Sequence, residues 1–431
     1  MKQFINNIFG NNILSGTAIV TLGVLISSVF SYLLQLALAR PILYLHAPLL
    51  TVSDYGTFNT LLSYYSIFAI PITVFSLSLV KISSELKVEE RFDKLTHLFW
   101  SLTFTSLAIG STIFLFLLIF RNYISAYSNI NNPELFLVLG IFICVSFLLI
   151  APGAYLQGLL RFKGFATFAV LGSFLRFIVP VAFVYFGLGV SGVYIGMSIA
   201  VIITFLFSIL ILKKNFTPYK PLNVKPEFKR LLNLSGSVFF INLGLLTLNN
   251  VDIILVKKYF EGDVAGYYSS LVTVGKILLF GAGAVAIVMF PQITQLYNSG
   301  KHVLSTFRKF FLIQLIVIFI GIAVFSFFSE FIVNLFFGSS FLPAVAYLPK
   351  FSLFVGLYVI INFMVLFLLS VNKHRVFFLQ IPVSILQFLL LSAFHDSIST
   401  VIDVNIIVSI LLLLAIGVYF YVYRNTIDAK V

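Results

Sequence analysis

Uninterrupted apolar runs, each long enough to cross a bilayer, constrain the fold of this chain most. Two of them are ILSGTAIVTLGVLISSVFSYLLQLALA at 13–39 and FFLIQLIVIFIGIAVFSFF at 310–328. A helix needs roughly 20 residues to cross a hydrocarbon core of roughly 30 Å. Only helices and closed barrels satisfy every backbone group in lipid, and these runs are apolar on all faces instead of alternating. The sequence therefore predicts an all-α integral membrane protein.

The apolar runs predict about twelve transmembrane helices. They lie near 13–39, 57–80, 96–120, 135–157, 166–187, 190–212, 231–256, 264–290, 308–328, 343–370, 376–394 and 404–423. Lysine and arginine are concentrated in every second connection, and the opposite loops hold only Arg40, Arg121, Lys257, Lys258 and Lys350. This positive-inside pattern predicts that both termini lie in the cytoplasm. We expect the chain to be a multi-pass protein of the cytoplasmic (inner) membrane. It also accounts for the net charge of +13 without a nucleic-acid partner.

The two halves of the chain resemble each other. DYGTFNTLLS at 54–63 aligns with VAGYYSSLVT at 264–273 at a shift of 210 residues, which places Gly56 on Gly266. The same shift aligns basic loops of the two halves. Six spans per half return the chain to its starting side, so the halves are predicted to be parallel repeats related by an axis along the membrane normal.

The domain boundaries follow from the most hydrophilic stretch, KKNFTPYKPLNVKPEFKR at 213–230. Its prolines and cations are typical of a linker, which we predict to be cytoplasmic. The predicted organisation is an N-terminal six-helix lobe at 1–212, this linker, and a C-terminal six-helix lobe at 231–431.

The sequence offers no catalytic or metal-binding motif. It has no Gly-rich phosphate loop, no HExxH, and a single cysteine, Cys144, within an apolar run. Its loops are short, whereas membrane polymerases and ligases carry catalytic groups on sizeable external loops. We therefore predict that the protein is not an enzyme and holds no metal or organic cofactor.

Two cations lie deep within predicted spans. Arg176 lies in FAVLGSFLRFIVPVAFVYF and Lys276 in SSLVTVGKILLFGAGAVAIV. Ionised groups inside a membrane are costly and face protein or water, so these two predict a cationic cavity for an anionic headgroup. The alternative is a structural ion pair, or a side chain that extends to the interface.

The stretch NNVDIILVKKYFEGDVAGYYSS at 249–270 brings polar groups into an apolar run. The shift of 210 residues places Asn250 on Arg40, so equivalent helices would carry both groups near their outer ends. Arg40 and Asp252 could then pair as a gate, and Asp252 is the candidate for H⁺ or Na⁺ coupling. Alternatively, Asp252 offsets Lys257 or caps the loop.

Further polar side chains within spans are candidates to line the cavity. Ser28, Ser31 and Gln35 form one stripe on the first span, because their spacing follows the helical repeat. Such a stripe either lines water or holds helices together. The complete set of cavity candidates is Ser28, Ser31, Gln35, Asn59, Asn249, Asn250 and Asn362.

The segments from Gly16 through LLQLALAR to DYGTFNTLLS, and from NNVDIILVKKYFEGDVAGYYSS to VMFPQI at 288–293, resemble a known family. This family is the polysaccharide-type lipid-linked oligosaccharide flippases of the multidrug/oligosaccharidyl-lipid/polysaccharide (MOP) exporter superfamily. The resemblance is spread over most of the chain. Its most specific elements are Arg40 with Tyr55-Gly56, and the Asp252 helix with Tyr267-Tyr268 and Phe290-Pro291.

The resemblance implies two six-helix lobes around a central cavity that opens to one side at a time. It also implies that the chain moves a glycan on a polyprenyl pyrophosphate from the cytoplasmic to the outer leaflet, often with ion coupling. The expected partners are the lipid bilayer, this glycan lipid and other polysaccharide-assembly membrane proteins. A small-molecule or drug antiporter of the same superfamily, or a membrane polysaccharide polymerase or ligase, are the alternatives.

Overall fold

The computed structural model describes residues 12–40, 48–218 and 222–428 of the 431-residue chain. Its regular elements in these ranges are all helical, with sixteen α-helices and a few short 3₁₀ or π turns. The α-helices are α1 (Asn12–Ala39), α2 (Val52–Phe68), α3 (Ile70–Val88), α4 (Phe92–Tyr127), α5 (Glu134–Ser146), α6 (Ile150–Gly158), α7 (Phe162–Phe183), α8 (Gly189–Leu212), α9 (Lys225–Leu248), α10 (Val251–Tyr259), α11 (Val264–Asn298), α12 (Leu304–Phe327), α13 (Ser329–Phe337), α14 (Leu348–Ser370), α15 (Phe377–Ala393) and α16 (Ile398–Asp428).

The helices confirm the predicted all-α membrane fold. Ten helical stretches in the described ranges are long and apolar enough to cross a membrane, and the bent pair α2 and α3 provides an eleventh. One of the ten, 162–215, is 54 residues long, about twice what a bilayer requires. It comprises α7 and α8, joined at Gly187, whose φ of +88° glycine adopts without strain. Counting α7 and α8 as two spans, and the bent pair α2 and α3 as one, gives the predicted twelve spans in the described ranges.

Chain packing divides the protein into two compact units. The first consists of Met1–Thr51 and Phe68–Phe239, and the second of Val52–Ile67 and Phe240–Val431. The second unit therefore includes α2, although this helix precedes most of the first unit in sequence. The two predicted six-helix lobes, 1–212 and 231–431, stay a prediction, as does the cytoplasmic placement of the termini.

In the first unit, α1 packs closely against α7. A Cβ atom added to Gly23 would lie 2.8 Å from the Cβ atom of Ala166, so these small residues permit the close approach. α3 packs against α6, and α4 packs against α5. Most apolar side chains on the outer faces of these helices remain exposed, as expected for surfaces that contact lipid.

The first half of α9 belongs to the first unit. Arg230 forms a bidentate pair with Glu85 of α3, with Nη1–Oε2 at 2.5 Å and Nη2–Oε1 at 3.0 Å. Glu227 forms an ion pair with Lys94 of α4. The last residues of the predicted linker, from Lys225 onward, are therefore helical and held against the ends of α3 and α4.

In the second unit, α14 is central and packs against α11, α12 and α16. α2 crosses α11 where the two repeat-related glycines meet. A Cβ atom on Gly56 would lie 2.6 Å from the backbone nitrogen of Gly266, and one on Gly266 would lie 2.1 Å from the Val52 carbonyl oxygen. Beside this crossing, the hydroxyl groups of Tyr55 and Thr273 share a hydrogen bond of 2.9 Å. Only glycine permits this approach of the two backbones.

Candidate functional site

The polar residues of the stretch at 249–270 coincide with a break in the seventh span. α9 ends at Leu248 and α10 begins at Val251, so Asn249 and Asn250 form the turn between them. The side-chain amide of Asn250 donates to the Leu246 carbonyl over 2.7 Å. Broken helices in membrane transporters leave backbone carbonyls and a positive half-helix end available for ions.

Asp252 lies in the first turn of α10 and is only 1% exposed. Its Oδ1 accepts the backbone N–H of Ile253 at 2.9 Å. Its Oδ2 accepts the Tyr268 hydroxyl at 2.6 Å and the Asn405 side-chain amide at 3.3 Å. The carboxylate is thus held by donors from α10, α11 and α16, and its negative charge lies at the positive end of α10.

Two amides complete this arrangement. The Asn405 Nδ2 also lies 3.0 Å from the Tyr268 hydroxyl oxygen. The Asn405 Oδ1 accepts from the Gln387 Nε2 of α15 at 2.9 Å, and that nitrogen also donates to the Leu248 carbonyl at 3.0 Å. We refer to Asp252, Tyr268, Asn405 and Gln387 as the carboxylate cluster.

The carboxylate cluster is suited to a small monovalent cation. It offers carboxylate, phenol and amide oxygens, the ligand types that hard cations prefer. It contains only one ionisable acid, and the described ranges contain no group of three or more His, Cys, Asp or Glu residues that could hold a metal ion. One negative charge balances one positive charge, so H⁺ or Na⁺ fits better than a divalent ion.

Lys276 lies on α11, the helix that carries Tyr268. Its side chain is half-buried and lies close enough to Asp252 for a Coulomb attraction. No hydrogen bond or ion pair of Lys276 is found within the ranges that the structure describes. An ammonium group without a hydrogen bond to the described residues retains its donors for an anionic ligand.

Arg176 lies on α7 in the first unit and is half-buried. Its Nε donates to the Gly172 carbonyl of the same helix at 3.1 Å. Arg40 is exposed at the end of α1. The headgroup role of Arg176 and the gate role of Arg40 stay predictions.

The predicted stripe on α1 forms hydrogen bonds along its own helix. The hydroxyl groups of Ser28 and Ser31 each donate to the carbonyl four residues earlier, at 3.0 Å in both cases. Gln35 is buried, and Ser31 is exposed. Each hydroxyl oxygen can still accept a hydrogen bond from water or a ligand. The cavity-lining role of the stripe stays a prediction.

The remaining cavity candidates lie on α2, the α9–α10 turn and α14. Asn59 is buried in the second unit and donates to the Tyr55 carbonyl at 3.0 Å. Asn249, Asn250 and Asn362 are half-buried. Of the predicted site residues, the structure brings Asp252 and Lys276 near each other in the second unit. Asp252 also takes part in a hydrogen-bond network that joins several helices.

Sequence reasoning missed two members of the carboxylate cluster, Gln387 and Asn405. Both are isolated polar residues within apolar runs, SILQFLLL and DVNIIVSILLLL. The same signal, a polar residue within an apolar run, identified Arg176 and Asn362. Tyr268 entered the prediction through the family resemblance alone, without a role at Asp252.

The candidate spans of the described residues, the broken seventh span and the buried carboxylate are features typical of multi-pass membrane transporters. The family described as polysaccharide biosynthesis protein matches residues 45–346, and the chain belongs to this family. The predicted family is thereby confirmed. No curated protein sequence matches the chain.

The fold is similar to that of several solved membrane transporters. An inward-facing MATE family multidrug resistance transporter is similar at a TM-score of 0.71 and 14% identity, over 94% of this chain and 95% of that chain. The lipid II flippase MurJ is similar at 0.67 and 16% identity, over 94% and 87%. A MOP superfamily transporter from Pyrococcus furiosus is similar at 0.64 and 16% identity, over 99% and 98%. These neighbours are transporters and a flippase, in agreement with the prediction of a non-enzymatic protein.

Proposed function

We propose that the protein flips a polyprenyl-pyrophosphate-linked oligosaccharide from the cytoplasmic to the outer leaflet of the cytoplasmic membrane, for cell-surface polysaccharide biosynthesis. Membership of the polysaccharide biosynthesis protein family carries this proposal. The fold shared with a lipid II flippase supports a lipid-linked substrate. Other polysaccharide-assembly membrane proteins would supply and consume the glycan lipid.

Arg176 and Lys276 are the cations that we propose for binding the pyrophosphate headgroup. Moving this group across a low-dielectric slab requires fixed positive charges and water, because an unpaired charge there is strongly disfavoured. Arg176 offers planar donors for phosphate oxygens, and Lys276 offers an ammonium group without a hydrogen bond among the described residues. The lipid tail stays in the bilayer while the headgroup passes.

Alternating access would arise from rocking of the two six-helix lobes about the linker at 213–230. Arg40 and Asp252 would pair when the outer side is closed and separate when it opens. The excess of basic residues in alternate loops supports cytoplasmic termini. Candidate cavity-lining groups such as Gln35 and Asn59 would hydrate the headgroup on its way.

The carboxylate cluster would couple this motion to a cation gradient. An ionised Asp252 accepts hydrogen bonds from Tyr268 and Asn405. Binding of H⁺ or Na⁺ would neutralise the carboxylate and redirect these donors. Because the donors come from α11 and α16, this change would repack helices within the second unit. Ion binding would thus favour one of the two access states.

The test is leaflet translocation in proteoliposomes, with a fluorescent polyprenyl-pyrophosphate oligosaccharide and a reagent that reaches only the outer leaflet. We expect the wild type to translocate, and Arg176→Ala and Lys276→Met to lower the rate at least tenfold, equivalent to about 1.4 kcal/mol. Lys258→Met is the matched control, because Lys258 bonds to the neighbouring Tyr259 hydroxyl. If neither variant lowers the translocation rate, the proposed headgroup site is wrong and the proposed flippase function stands.

A small-molecule antiporter is the second candidate function, favoured by the similarity to MATE transporters. It predicts gradient-driven exchange of a small organic cation and no movement of lipid-linked sugars. Absence of glycan-lipid translocation under H⁺ and Na⁺ gradients, together with such exchange, would replace the proposed function with this one.

A further inference from the structure

α15 carries a row of buried polar side chains that the proposed headgroup site does not use. Gln380, Ser384 and Gln387 are spaced by four and three residues and therefore lie on one helix face. They are 0%, 6% and 1% exposed, respectively. We refer to these three residues as the α15 polar row.

The hydrogen-bonding capacity of this row is not filled by protein. Neither the amide nitrogen nor the carbonyl oxygen of the Gln380 side chain has a partner among the described residues, and Gln387 Oε1 has none either. A buried polar atom left unpaired is destabilising. Buried waters commonly satisfy such atoms, each through about three hydrogen bonds. The row therefore has the chemistry of a hydrated track within the second unit.

The second wall of this track is formed by α9. Ser384 Oγ lies 3.1 Å from the Gly244 carbonyl oxygen, and Gln387 Nε2 donates to the Leu248 carbonyl. A Cβ atom on Gly244 would lie 2.7 Å from the Gln380 Cβ. Glycine at this position lets the Gln380 side chain lie against α9, so both walls present carbonyl or amide groups.

The row connects the end of a span with the carboxylate cluster. Gln380 lies one turn from the start of α15, which follows the basic loop containing Lys373 and Arg375. Gln387, at the other end, bonds to Asn405 and through it reaches Asp252. At about 1.5 Å per residue the row covers roughly 10 Å of helix, which is a third of a bilayer core.

We propose that the α15 polar row binds a chain of water molecules and forms the route by which a small monovalent cation, hydronium or sodium, reaches Asp252 from the basic-loop end. This inference rests on the proposed coupling at Asp252. It differs from the headgroup path, since it runs inside the second unit between α9 and α15. The cation would move along neutral oxygens, which replace part of its hydration shell.

Gln314 on α12 provides a matched control. It is 0% exposed, and both polar atoms of its amide are also without a partner among the described residues. It differs from Gln380 in position, because it lies on α12 and not on α15, the helix that carries Ser384 and Gln387. Leucine in place of either glutamine removes an unpaired amide at similar volume, so neither substitution is expected to lower the melting temperature.

The experiment measures cation uptake into proteoliposomes with a pH-sensitive or a Na⁺-sensitive dye, under an imposed gradient and with lipid-linked glycan present. We expect Gln380→Leu to slow uptake at least tenfold and Gln314→Leu to remain within twofold of wild type. The dye that responds identifies the cation. Wild-type uptake by Gln380→Leu, with Asp252→Asn inactive, would overturn the route and retain the coupling site. Wild-type uptake by Asp252→Asn would overturn both.

A second measurement probes access independently of transport rate. Cys144 is the single cysteine, so Cys144→Ala provides a thiol-free background. In it, we expect Ag⁺, a monovalent ion near the size of Na⁺, to inhibit Ser384→Cys at least tenfold more strongly than Leu391→Cys. Leu391 lies on the same helix and is 1% exposed. Equal inhibition of the two variants would contradict a hydrated track at Ser384.

Discussion

The two units differ in whether they bury an acid, because Asp252 of the second unit is the one buried acid among the described residues. In the first unit, the described ion pairs join helix ends, as between Arg230 and Glu85 and between Arg121 and Glu134. The second unit also has an exposed ion pair at helix ends, between Lys350 and Asp403, but its Asp252 lies in the interior and is held by neutral donors from other helices. The buried acid therefore distinguishes the second unit from the first.

The energies explain what this difference means. An exposed ion pair such as that of Arg230 and Glu85 contributes about 0–1 kcal/mol, so it fixes helix ends at little cost or gain. An acid at the centre of a membrane helix costs about 2.5–3.5 kcal/mol on insertion scales. An acid with that cost is a candidate functional residue. We therefore expect ion coupling at Asp252, in the interior of the second unit.

The largest expected effect concerns the crossing that brings α2 into the second unit. Gly266→Ala would place a Cβ atom 2.1 Å from the Val52 carbonyl oxygen, whereas a Cβ atom on Gly283 of the same helix meets nothing within 4 Å. Overpacking costs about 1–3 kcal/mol and here requires a backbone shift. We expect the melting temperature in detergent to fall clearly for Gly266→Ala and to stay unchanged for Gly283→Ala. Equal melting temperatures would contradict the crossing.

A smaller effect separates hydrogen bonds between helices from those along one helix. Gln387→Leu removes the bonds to Asn405 and to the Leu248 carbonyl, whereas Ser31→Ala removes a bond to its own helix. Interhelical bonds in membrane proteins contribute about 0.6–1.7 kcal/mol. We expect about 1 kcal/mol of destabilisation for Gln387→Leu and almost none for Ser31→Ala. The reverse order would invalidate the distinction between the stripe and the cluster.

The smallest effect is expected for the surface ion pair between Glu85 and Arg230 in the first unit. A double-mutant cycle of Glu85→Ala and Arg230→Ala should give a coupling energy of about 0.2–1 kcal/mol, because both side chains are more than a third exposed. High salt should reduce it further by screening. A coupling energy that is larger and insensitive to salt would mean that this pair is not a surface contact.

The fold was predictable because span number follows from the length of apolar runs, which the bilayer fixes. The carboxylate cluster was predictable only in part. Asp252 was conspicuous as a charge, but Asn405, which bonds to it, and Gln387, which bonds to Asn405, are neutral and lie more than 130 residues away in sequence. Spacing along one helix identifies a stripe such as Ser28 and Ser31, and it does not identify which helices meet.

The break in the seventh span coincides with a polar cluster in the sequence, where the length of the apolar run predicts a continuous helix. Asn249 and Asn250 were considered as side chains in a continuous helix, whereas they form the turn that ends α9. Asparagine competes for backbone hydrogen bonds and favours turns, which provides the physical signal. The packing of α2 within the second unit depends on the contact between Gly56 and Gly266, which repeat alignment matches without indicating that they touch.

Gradient dependence of leaflet translocation by Asp252→Asn tests the central claim most directly. The assay compares initial rates with and without an imposed H⁺ or Na⁺ gradient in wild-type and variant proteoliposomes. Asparagine retains the size of Asp252 and an acceptor for the Tyr268 hydroxyl, and it removes the charge that balances a cation. We predict that a gradient accelerates the wild type at least tenfold and leaves the variant unchanged. An equal acceleration of both proteins would show that Asp252 is not the coupling site.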